Sequence, residues 1–261
     1  MAQYATMAQM IESLLPRWRS VSRAERACIA VIVLALAIVP LLPSVAQDPV
    51  YHRFADRREW LGVPNAFNVL SNLAFVLVGI AGIAGLLSSA RTRHSVATEA
   101  SLWCIALGLL ATSAGSTWYH VDPNDATLVW DRLPMTLAFA GILSAALAQR
   151  ISERAARIAL PLLPMLGIAS VLYWHFSGDV AVYGVLQFGG FAALLVLVVA
   201  TTNASDPFPW WWVIGSYAAA KVMEAADHAI WQASGGVVAG HAFKHFLAAL
   251  AGAAALRPLR A

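Results

Sequence analysis

The chain has 261 residues, of which 60% are hydrophobic and 12% charged, and its formal net charge is +3. Soluble domains contain about 45–50% apolar and about 25% charged residues, so this composition excludes an ordinary soluble enzyme, a disordered chain and a nucleic-acid-binding protein. The length accommodates about seven or eight spans of roughly 20 residues and leaves little for a separate soluble domain. The two cysteines, Cys28 and Cys104, lie in apolar runs and offer neither a disulfide framework nor a cysteine metal site.

Eight apolar runs that carry very few Asp, Glu, Lys or Arg residues follow one another along the chain. They are too long and too continuously apolar for strands, and a helix satisfies all its backbone polar groups within lipid. The predicted fold class is therefore all-α, a polytopic transmembrane helical bundle. The predicted spans are 27–47, 67–87, 102–120, 127–149, 158–178, 180–205, 208–226 and 237–256.

The first of these runs has two interpretations. It is either a membrane span or a signal-like segment, since arginines precede it and Ser44-Val45-Ala46 resembles a cleavage site before Gln47. Both interpretations leave a seven-span core whose N-terminal end faces outward. We therefore predict two regions: 1–47, the cytoplasmic N-terminus with the first hydrophobic span, and 48–261, the seven-span core.

The basic residues predict the orientation of the bundle. With a cytoplasmic N-terminus, only Arg53, Arg57 and Arg58 lie in outer loops. The inner side receives Arg17, Arg19, Arg23, Arg26, Arg91, Arg93, Arg150, Arg154, Arg157, Arg257 and Arg260. Cytoplasmic loops carry an excess of Lys and Arg, so this orientation is favoured and the C-terminus is cytoplasmic. The excess of arginine over lysine is typical of a bacterial chain, and we expect an integral protein of the bacterial inner membrane.

Polar residues around the turn between the third and fourth runs form the first candidate site. Ser116 and His120 are four residues apart and share one helix face. Asp131 lies almost two turns into the next helix, after a turn capped by Asn124 or Asp125, and so returns to about the depth of His120. Each of these residues alone has a simpler interpretation: a packing serine, a boundary histidine, or an aspartate paired with Arg132.

His241 and His245, four residues apart, open the last run and also share one face. In the predicted topology they lie in the outer half of the membrane, like His120 and Asp131. Three histidines at one depth fit a catalytic zinc site, with three nitrogen ligands and an open fourth position. Asp131 and Ser116 have the chemistry of groups that support such a site. Neutral histidines that only form hydrogen bonds are the alternative.

A second polar cluster competes with this site. Lys221, Glu224, Asp227 and His228 lie at the end of the seventh run, with Glu224 three residues after Lys221 and four before His228. Glu224 and His228 are spaced to chelate a metal, but a Lys221–Glu224 salt bridge with a polar helix end is the favoured interpretation. Lys244 of the last run is expected to pair across helices with Glu224 or Asp227.

Together these residues resemble a known family. Ser116-x-x-x-His120, Asp131 eleven residues on, and His241-x-x-x-His245 are similar to the alkaline ceramidase superfamily of seven-span hydrolases, which also includes the progestin and adipoQ receptors. The stretch GVPNAFNVLSNL at 62–73 resembles the entry to the first core span of the ceramidase branch. Lys221-x-x-Glu224-x-x-Asp227 with Gly240-His241-x-x-Lys244-His245 resembles its bacterial members. The resemblance covers about 51–256.

The resemblance implies roles for these residues. His120, His241 and His245 would bind Zn²⁺, Asp131 would hold the attacking water and transfer protons, and Ser116 would position the substrate carbonyl or stabilise the oxyanion. One departure concerns calcium. Eukaryotic members carry an acidic calcium cluster before the first core span, whereas the stretch at 53–60 here contains three arginines and two acids. Asn65 stands where a glutamate is expected, which argues against calcium.

The predicted function is a zinc-dependent hydrolase that cleaves the N-acyl bond of a ceramide-like membrane lipid to a fatty acid and a long-chain base. Its partner is the lipid substrate, with no nucleic acid, and its active site faces the periplasm. Two alternatives remain open: a zinc-containing receptor of the progestin and adipoQ type, and a small transporter that uses the second cluster. Transporters of that kind usually show repeats or broken helices, neither of which the sequence displays.

Overall fold

A computed structural model of the chain describes residues 21–88 and 94–260. The predicted inner-side residues Arg17, Arg19, Arg91 and Arg93 lie outside these ranges, as do the first twenty residues of the predicted N-terminal region. Within the described ranges the chain is predominantly helical, and its β contacts are two isolated bridges, Ala46–Asp179 and Trp60–Val63. The predicted all-α class is therefore confirmed.

The chain divides into two compact units, Met1–Leu42 and Pro43–Ala261. In the first unit, α1 spans Arg23–Ile38 and passes into a 3-10 turn, Val39–Leu41. The prediction of one continuous span over 27–47 is wrong at its end. Proline lacks an amide donor, clashes with the preceding helical turn and disfavours helical geometry in the residue before it, so Pro40 and Pro43 end the helix early.

The second unit contains the remaining helices. Their bounds are α2 (Ala66–Ser71), α3 (Leu73–Leu87), α4 (Val96–Val121), α5 (Asp125–Arg150), α6 (Glu153–Ser177), α7 (Ala181–Ala200), α8 (Trp210–Ala225), α9 (Asp227–Ala233) and α10 (Gly240–Ala255). Two 3-10 turns, Pro49–His52 and Arg257–Arg260, lie near its ends. The predicted second span is broken at Asn72, and the predicted sixth span ends at Ala200 rather than at 205.

Side-chain caps determine where the long central helices begin. Ser95 accepts the amide N–H of Thr98 at the start of α4, and Ser152 accepts that of Ala155 at the start of α6. Asn124 and Thr127 form a reciprocal capping box at the start of α5. These caps satisfy amide donors that have no partner within the helix. Of the two residues predicted to cap this turn, Asn124 is the one that does.

Five helical stretches in the described part of the chain are long and apolar enough to cross a membrane: Ala66–Leu87, Val96–Val121, Asp125–Arg150, Glu153–Ser177 and Ala181–Ala200. They correspond to five of the eight predicted spans. The helices α1, α8 and α10 have 16 residues each, fewer than the roughly 20 that usually cross a bilayer. The total of eight spans, and the boundary between 1–47 and 48–261, stay predictions.

The helices of the second unit pack around two groups of buried side chains. The larger group includes Leu102, Ile105 and Ala106 of α4, and residues of α5 and α10 pack against them. The smaller group includes Tyr119, Leu128, Trp174 and Tyr183. These residues come from the end of α4, the start of α5, the end of α6 and the start of α7, so the smaller group marks one end of the bundle. The candidate site lies next to it.

Candidate metal centre and lipid site

Three histidines converge at this end of the bundle. His120 lies in the last turn of α4, and His241 and His245 lie in the first two turns of α10. All three are buried, and one ring nitrogen from each lies within 4.8 Å of the others. The Nε2 atoms of His120 and His245 are 3.2 Å apart. The structure therefore brings together three residues that are up to 125 positions apart in the chain.

The backbone of α10 is positioned by Asp227 and Gly240. The amide N–H of His241 donates to Asp227 Oδ1 at 2.8 Å, and the other carboxylate oxygen accepts the amide N–H of Ala55 at 2.9 Å. Gly240 lies so close to the Met223 carbonyl oxygen that a Cβ at this position would overlap it. The Asp227 carboxylate and the absence of a Cβ at Gly240 therefore allow the start of α10 to pack directly against the end of α8.

The orientation of the His245 ring follows from Ser71. The Ser71 hydroxyl donates to the carbonyl oxygen of Asn68 at 2.9 Å and lies 2.7 Å from His245 Nδ1. Because the hydroxyl proton is already used, Ser71 accepts the Nδ1–H of His245. The lone pair of His245 is then on Nε2, which points at the other histidines. A hydrogen bond to the second ring nitrogen is the usual support of a metal-binding histidine.

This arrangement fits a divalent metal such as zinc. Three neutral imidazole nitrogens that converge without a carboxylate among them match the donor set of a three-histidine zinc site. Phe54 packs its ring against His120 and His241, at centroid distances of 4.7 and 4.6 Å, and separates them from the loop side. His120, His241 and His245 are therefore the residues that can hold a metal ion.

Ser116 and Asp131 are near neighbours, and the Ser116 hydroxyl lies close enough to the Asp131 carboxylate to stabilise its charged form. Both side chains are buried, and both line the cavity described below. Their contact depends on a close crossing of α4 and α5, because a Cβ at Gly115 would overlap the carbonyl oxygen of Trp130. Small residues permit such close helix contacts in membrane proteins. A hydroxyl and a carboxylate are thus held next to the candidate metal ligands.

The second predicted cluster divides into two parts. Glu224 binds Lys221 with one carboxylate oxygen and Lys244, at 2.7 Å, with the other. Lys244 Nζ also lies 3.5 Å from His241 Nε2. Tyr51 donates its hydroxyl to Glu224 at 3.2 Å, and burial raises the pKa of this tyrosine well above its usual value. The expected pairs of Glu224 with Lys221 and Lys244 are thus present, and they lie next to His241.

Asp227 and His228 make contacts different from those of Glu224, and the alternative that Glu224 and His228 chelate a metal stays a prediction. Ala226 separates α8 from α9, so Glu224 and His228 belong to different helices. His228 is largely exposed, and its Nε2 lies 2.8 Å from the Arg53 carbonyl oxygen. Asp227 instead accepts the two amide N–H groups described above. Both residues therefore hold the loop around residues 53–55.

A cavity of about 520 Å³ opens beside the histidines. At its polar end lie Ser116, Asp131, His245, Glu224 and Lys244. Deeper along α5 and α7 the walls are apolar and include Phe139, Ile142, Leu143, Phe191 and Leu194. The volume is in the range of about 300–1,000 Å³ that small-molecule sites have. Its chemistry fits a molecule with one apolar chain and one polar group.

The segment between the 3-10 turn Pro49–His52 and α2 contains a buried carboxylate that is paired with an arginine. Asp56 accepts hydrogen bonds from Arg58 Nε at 2.9 Å and Arg58 Nη2 at 2.6 Å. The same guanidinium stacks on Phe67 and Trp231. Asn65 adopts a left-handed conformation and donates its side-chain amide to the His120 carbonyl oxygen at 2.9 Å. In this segment the guanidinium is the cation that neutralises the acid.

Three residues of the site are absent from the sequence-based set: Ser71, Tyr51 and Arg132. Ser71 belongs to the stretch 65–72 at the entry to an apolar span. A polar side chain at such a position indicates a possible site residue. Arg132 was assigned only as a neighbour that could pair with Asp131. Tyr51 carries no signal in the sequence, because its role depends on contact with Glu224 across 173 positions.

Comparison with known proteins gives one match. A family model with the description Ceramidase matches residues 63–232. The matched range includes Ser116, His120, Asp131 and Glu224, and it ends before α10, which carries His241 and His245. Searches of curated proteins and of solved structures return no match.

Proposed function

Since the chain belongs to the ceramidase family, we propose that it is a zinc-dependent membrane amidase that hydrolyses the N-acyl bond of a ceramide-like lipid. The products would be a fatty acid and a long-chain amine. The family supports a hydrolase of lipid metabolism, and the apolar helices support a membrane protein. The observation that carries the proposal is the convergence of three buried histidines at the polar end of an amphipathic cavity.

The residues of the cavity suit the chemistry of amide hydrolysis. Zinc held by His120, His241 and His245 would supply Lewis acidity, which polarises a carbonyl and lowers the pKa of water. Asp131 lies on the cavity wall, where its carboxylate can accept a proton from the attacking water and return it to the leaving nitrogen. The Ser116 hydroxyl can donate its proton either to the Asp131 carboxylate or, once turned, to the substrate oxygen.

The ion-paired group beside His241 has a supporting part in this proposal. Glu224 pairs with both Lys221 and Lys244, and Lys244 contacts the His241 ring. The apolar walls formed by α5 and α7 exclude water around the acyl chain. Both products are amphipathic, so they can leave into the surrounding lipid. We further propose that the site faces the periplasm of a bacterial inner membrane, with the C-terminus in the cytoplasm.

The experiment is a joint measurement of metal content and hydrolysis on the purified protein. Fluorescent N-acyl lipids serve as substrates, and wild type is compared with His245→Ala, Asp131→Asn and the control His175→Ala, which changes an exposed histidine outside the site. We expect His245→Ala to lose zinc. Asp131→Asn should keep zinc and lose about 10²–10⁴-fold in kcat, the usual contribution of a positioned acid–base group. The control should resemble wild type.

Two results would contradict the proposal. A full equivalent of zinc in His245→Ala would remove the metal assignment. Hydrolysis by Asp131→Asn at the wild-type rate would remove the assigned role of the carboxylate. A receptor would bind zinc and turn over no lipid, whereas a transporter would lose transport in Glu224→Gln with an unchanged metal content.

A further inference from the structure

Arg132 is a buried cationic side chain of the cavity that forms no ion pair with a described carboxylate. It is 5% exposed and lines the cavity next to Asp131. None of the ion pairs found among residues 21–88 and 94–260 includes it. A buried charge without an opposite charge is costly, so its retention calls for a partner.

The guanidinium of Arg132 is held in place by three aromatic rings and one amide. Its central carbon lies 4.2 Å from the ring centroid of Trp174 and 4.7 Å from that of Tyr183, with Tyr51 farther away at 5.6 Å. Nη2 donates to Gln47 Oε1 at 2.7 Å. Nη1 is fully buried and has no hydrogen-bond partner among the described residues. The aromatic contacts fix the plane of the group and leave one donor nitrogen unused.

The charges around Arg132 do not remove this surplus. The cavity wall carries three cations, Arg132, Lys221 and Lys244, against the two carboxylates Glu224 and Asp131, which leaves one positive charge in excess. The other carboxylate on the cavity wall, Asp48, is exposed and caps the turn Pro49–His52 through the Val50 amide. A bound divalent metal would add further positive charge. The interior polar end therefore favours a ligand with a negative charge.

The position of Arg132 along α5 relates this charge to the lipid. On α5, the cavity wall runs from Asp131 and Arg132 through Phe139 to Ile142 and Leu143. An acyl chain that lies against the apolar residues leaves its polar head at the level of Arg132. The head then lies at the Arg132 guanidinium, next to the residues assigned to the chemistry.

We propose that Arg132 binds an anionic oxygen group, a carboxylate or a phosphate, on the head of the N-acyl lipid, so that among the N-acyl lipids that the site accepts those with an anionic head are preferred. This inference rests on the proposed amidase function. A guanidinium with a free donor in a water-poor site forms charge-assisted hydrogen bonds with such groups, and these are about twice as strong as neutral ones. Arg132 is in this role a specificity-determining residue.

The test compares matched lipids on the full-length, zinc-loaded protein. N-palmitoyl serine and N-palmitoyl serinol differ only in a carboxylate against a hydroxymethyl group, and phosphorylated and free N-palmitoyl ethanolamine differ only in a phosphate. We expect wild type to prefer at least one anionic member by about tenfold or more in kcat/KM. Arg132→Gln should abolish that preference, and Arg132→Lys should retain only part of it. The pair that responds identifies the anionic group.

The ratio of kcat/KM values within a pair cancels any loss of folded protein, so instability of the variants does not obscure the result. The control Arg157→Gln changes an exposed arginine paired with Glu153 on α6 and should leave the ratio unchanged. Equal wild-type rates within both pairs would overturn the proposal. So would an equal loss on both members in Arg132→Gln, because that pattern indicates a packing role only.

Failure of the amidase function can be told apart from failure of this subsite. If no lipid is hydrolysed, the same four lipids are measured as ligands by equilibrium binding. A preference for the anionic member that Arg132→Gln removes would support the subsite although the amidase proposal has failed. Equal binding of both members by wild type would overturn the subsite as well.

Discussion

At the scale of single residues, the candidate metal centre depends on a serine outside the donor set. Ser71 uses its proton on the Asn68 carbonyl oxygen and therefore accepts the Nδ1–H of His245. The hydrogen bond selects the tautomer in which Nε2 carries the lone pair. Without this hydrogen bond the imidazole could rotate, and metal binding would have to fix its orientation. The serine therefore contributes to metal affinity although it does not contact the metal.

The Ser71→Ala variant tests this dependence. We expect zinc affinity to fall by about 10- to 100-fold, the usual effect of removing the partner of a ligand histidine. Competition with a chromophoric chelator measures the affinity. Ser101→Ala is the matched control, because Ser101 is also buried and donates only to the Ala97 carbonyl oxygen of its own helix. Equal zinc affinity in Ser71→Ala and wild type would show that Ser71 does not orient the ring.

At the scale of helices, the crossing of α4 and α5 holds Ser116 against Asp131. Gly115 precedes Ser116 on α4, and Trp130 precedes Asp131 on α5. The backbones of Gly115 and Trp130 are in contact, because a Cβ on Gly115 would overlap the carbonyl oxygen of Trp130. Packed interiors yield little to an added atom, so a side chain at Gly115 must push the helices apart. The distance between hydroxyl and carboxylate is therefore set by the packing of the two helices.

The Gly115→Ala variant is expected to lose stability and hydrolysis together. Overpacking costs about 1–3 kcal/mol, and the displaced helices separate Ser116 from Asp131. Thermal unfolding in detergent and the hydrolysis rate measure the two effects. Gly215→Ala is the control, because this exposed position of α8 has no atom within 4 Å of an added Cβ. It should be unchanged or more stable by about 0.5–1 kcal/mol. A fully active and stable Gly115→Ala would contradict the crossing argument.

The segment before α2 leads to a prediction about calcium. Asp56 is already paired with the guanidinium of Arg58 through two side-chain hydrogen bonds. Because an arginine takes up this carboxylate, we expect hydrolysis to be unchanged when calcium is removed with EGTA at fixed zinc. Activity that falls in EGTA and returns with added Ca²⁺ would contradict the expectation. Arg58→Ala should lower the thermal stability, since it leaves the carboxylate buried without a cation.

At the scale of the whole molecule, the predicted orientation places the candidate site on the periplasmic side. The loop that contains Asp122 joins α4 to α5 at the same end of the second unit as the histidines, whereas Ser205 lies in the loop between α7 and α8 at the other end. Both residues are exposed. The arginine distribution assigns the first loop to the periplasm and the second to the cytoplasm.

Cysteine labelling tests this orientation. In a variant with Cys28→Ser and Cys104→Ser, we expect Asp122→Cys to react with a membrane-impermeant maleimide in intact cells. Ser205→Cys should react only after the membrane is permeabilised. The reverse pattern would invert the topology and place the active site in the cytoplasm.

Much of the architecture followed from the sequence, because membrane helices are determined by local composition. Five of the eight predicted runs are helices that can cross a membrane, and their starts at Ser95, Asn124 and Ser152 carry local caps. The common depth of His120 and Asp131 followed from a short turn between two helices. The end of α1 differed because prolines broke a run whose composition alone indicated a longer span.

The tertiary structure decided which polar residues act together. The sequence by itself determined an all-α membrane chain with two candidate clusters and a family resemblance. It did not determine that Asp227 and His228 turn away to hold a loop, or that Ser71, Tyr51 and Arg132 reach the site. These contacts join residues between 42 and 174 positions apart in the chain. Hydrophobic periodicity indicates which face of a helix is apolar, but it does not indicate which helices pack against each other. The close approach of α4 to α5 and of α8 to α10, where glycines leave room, determines that choice.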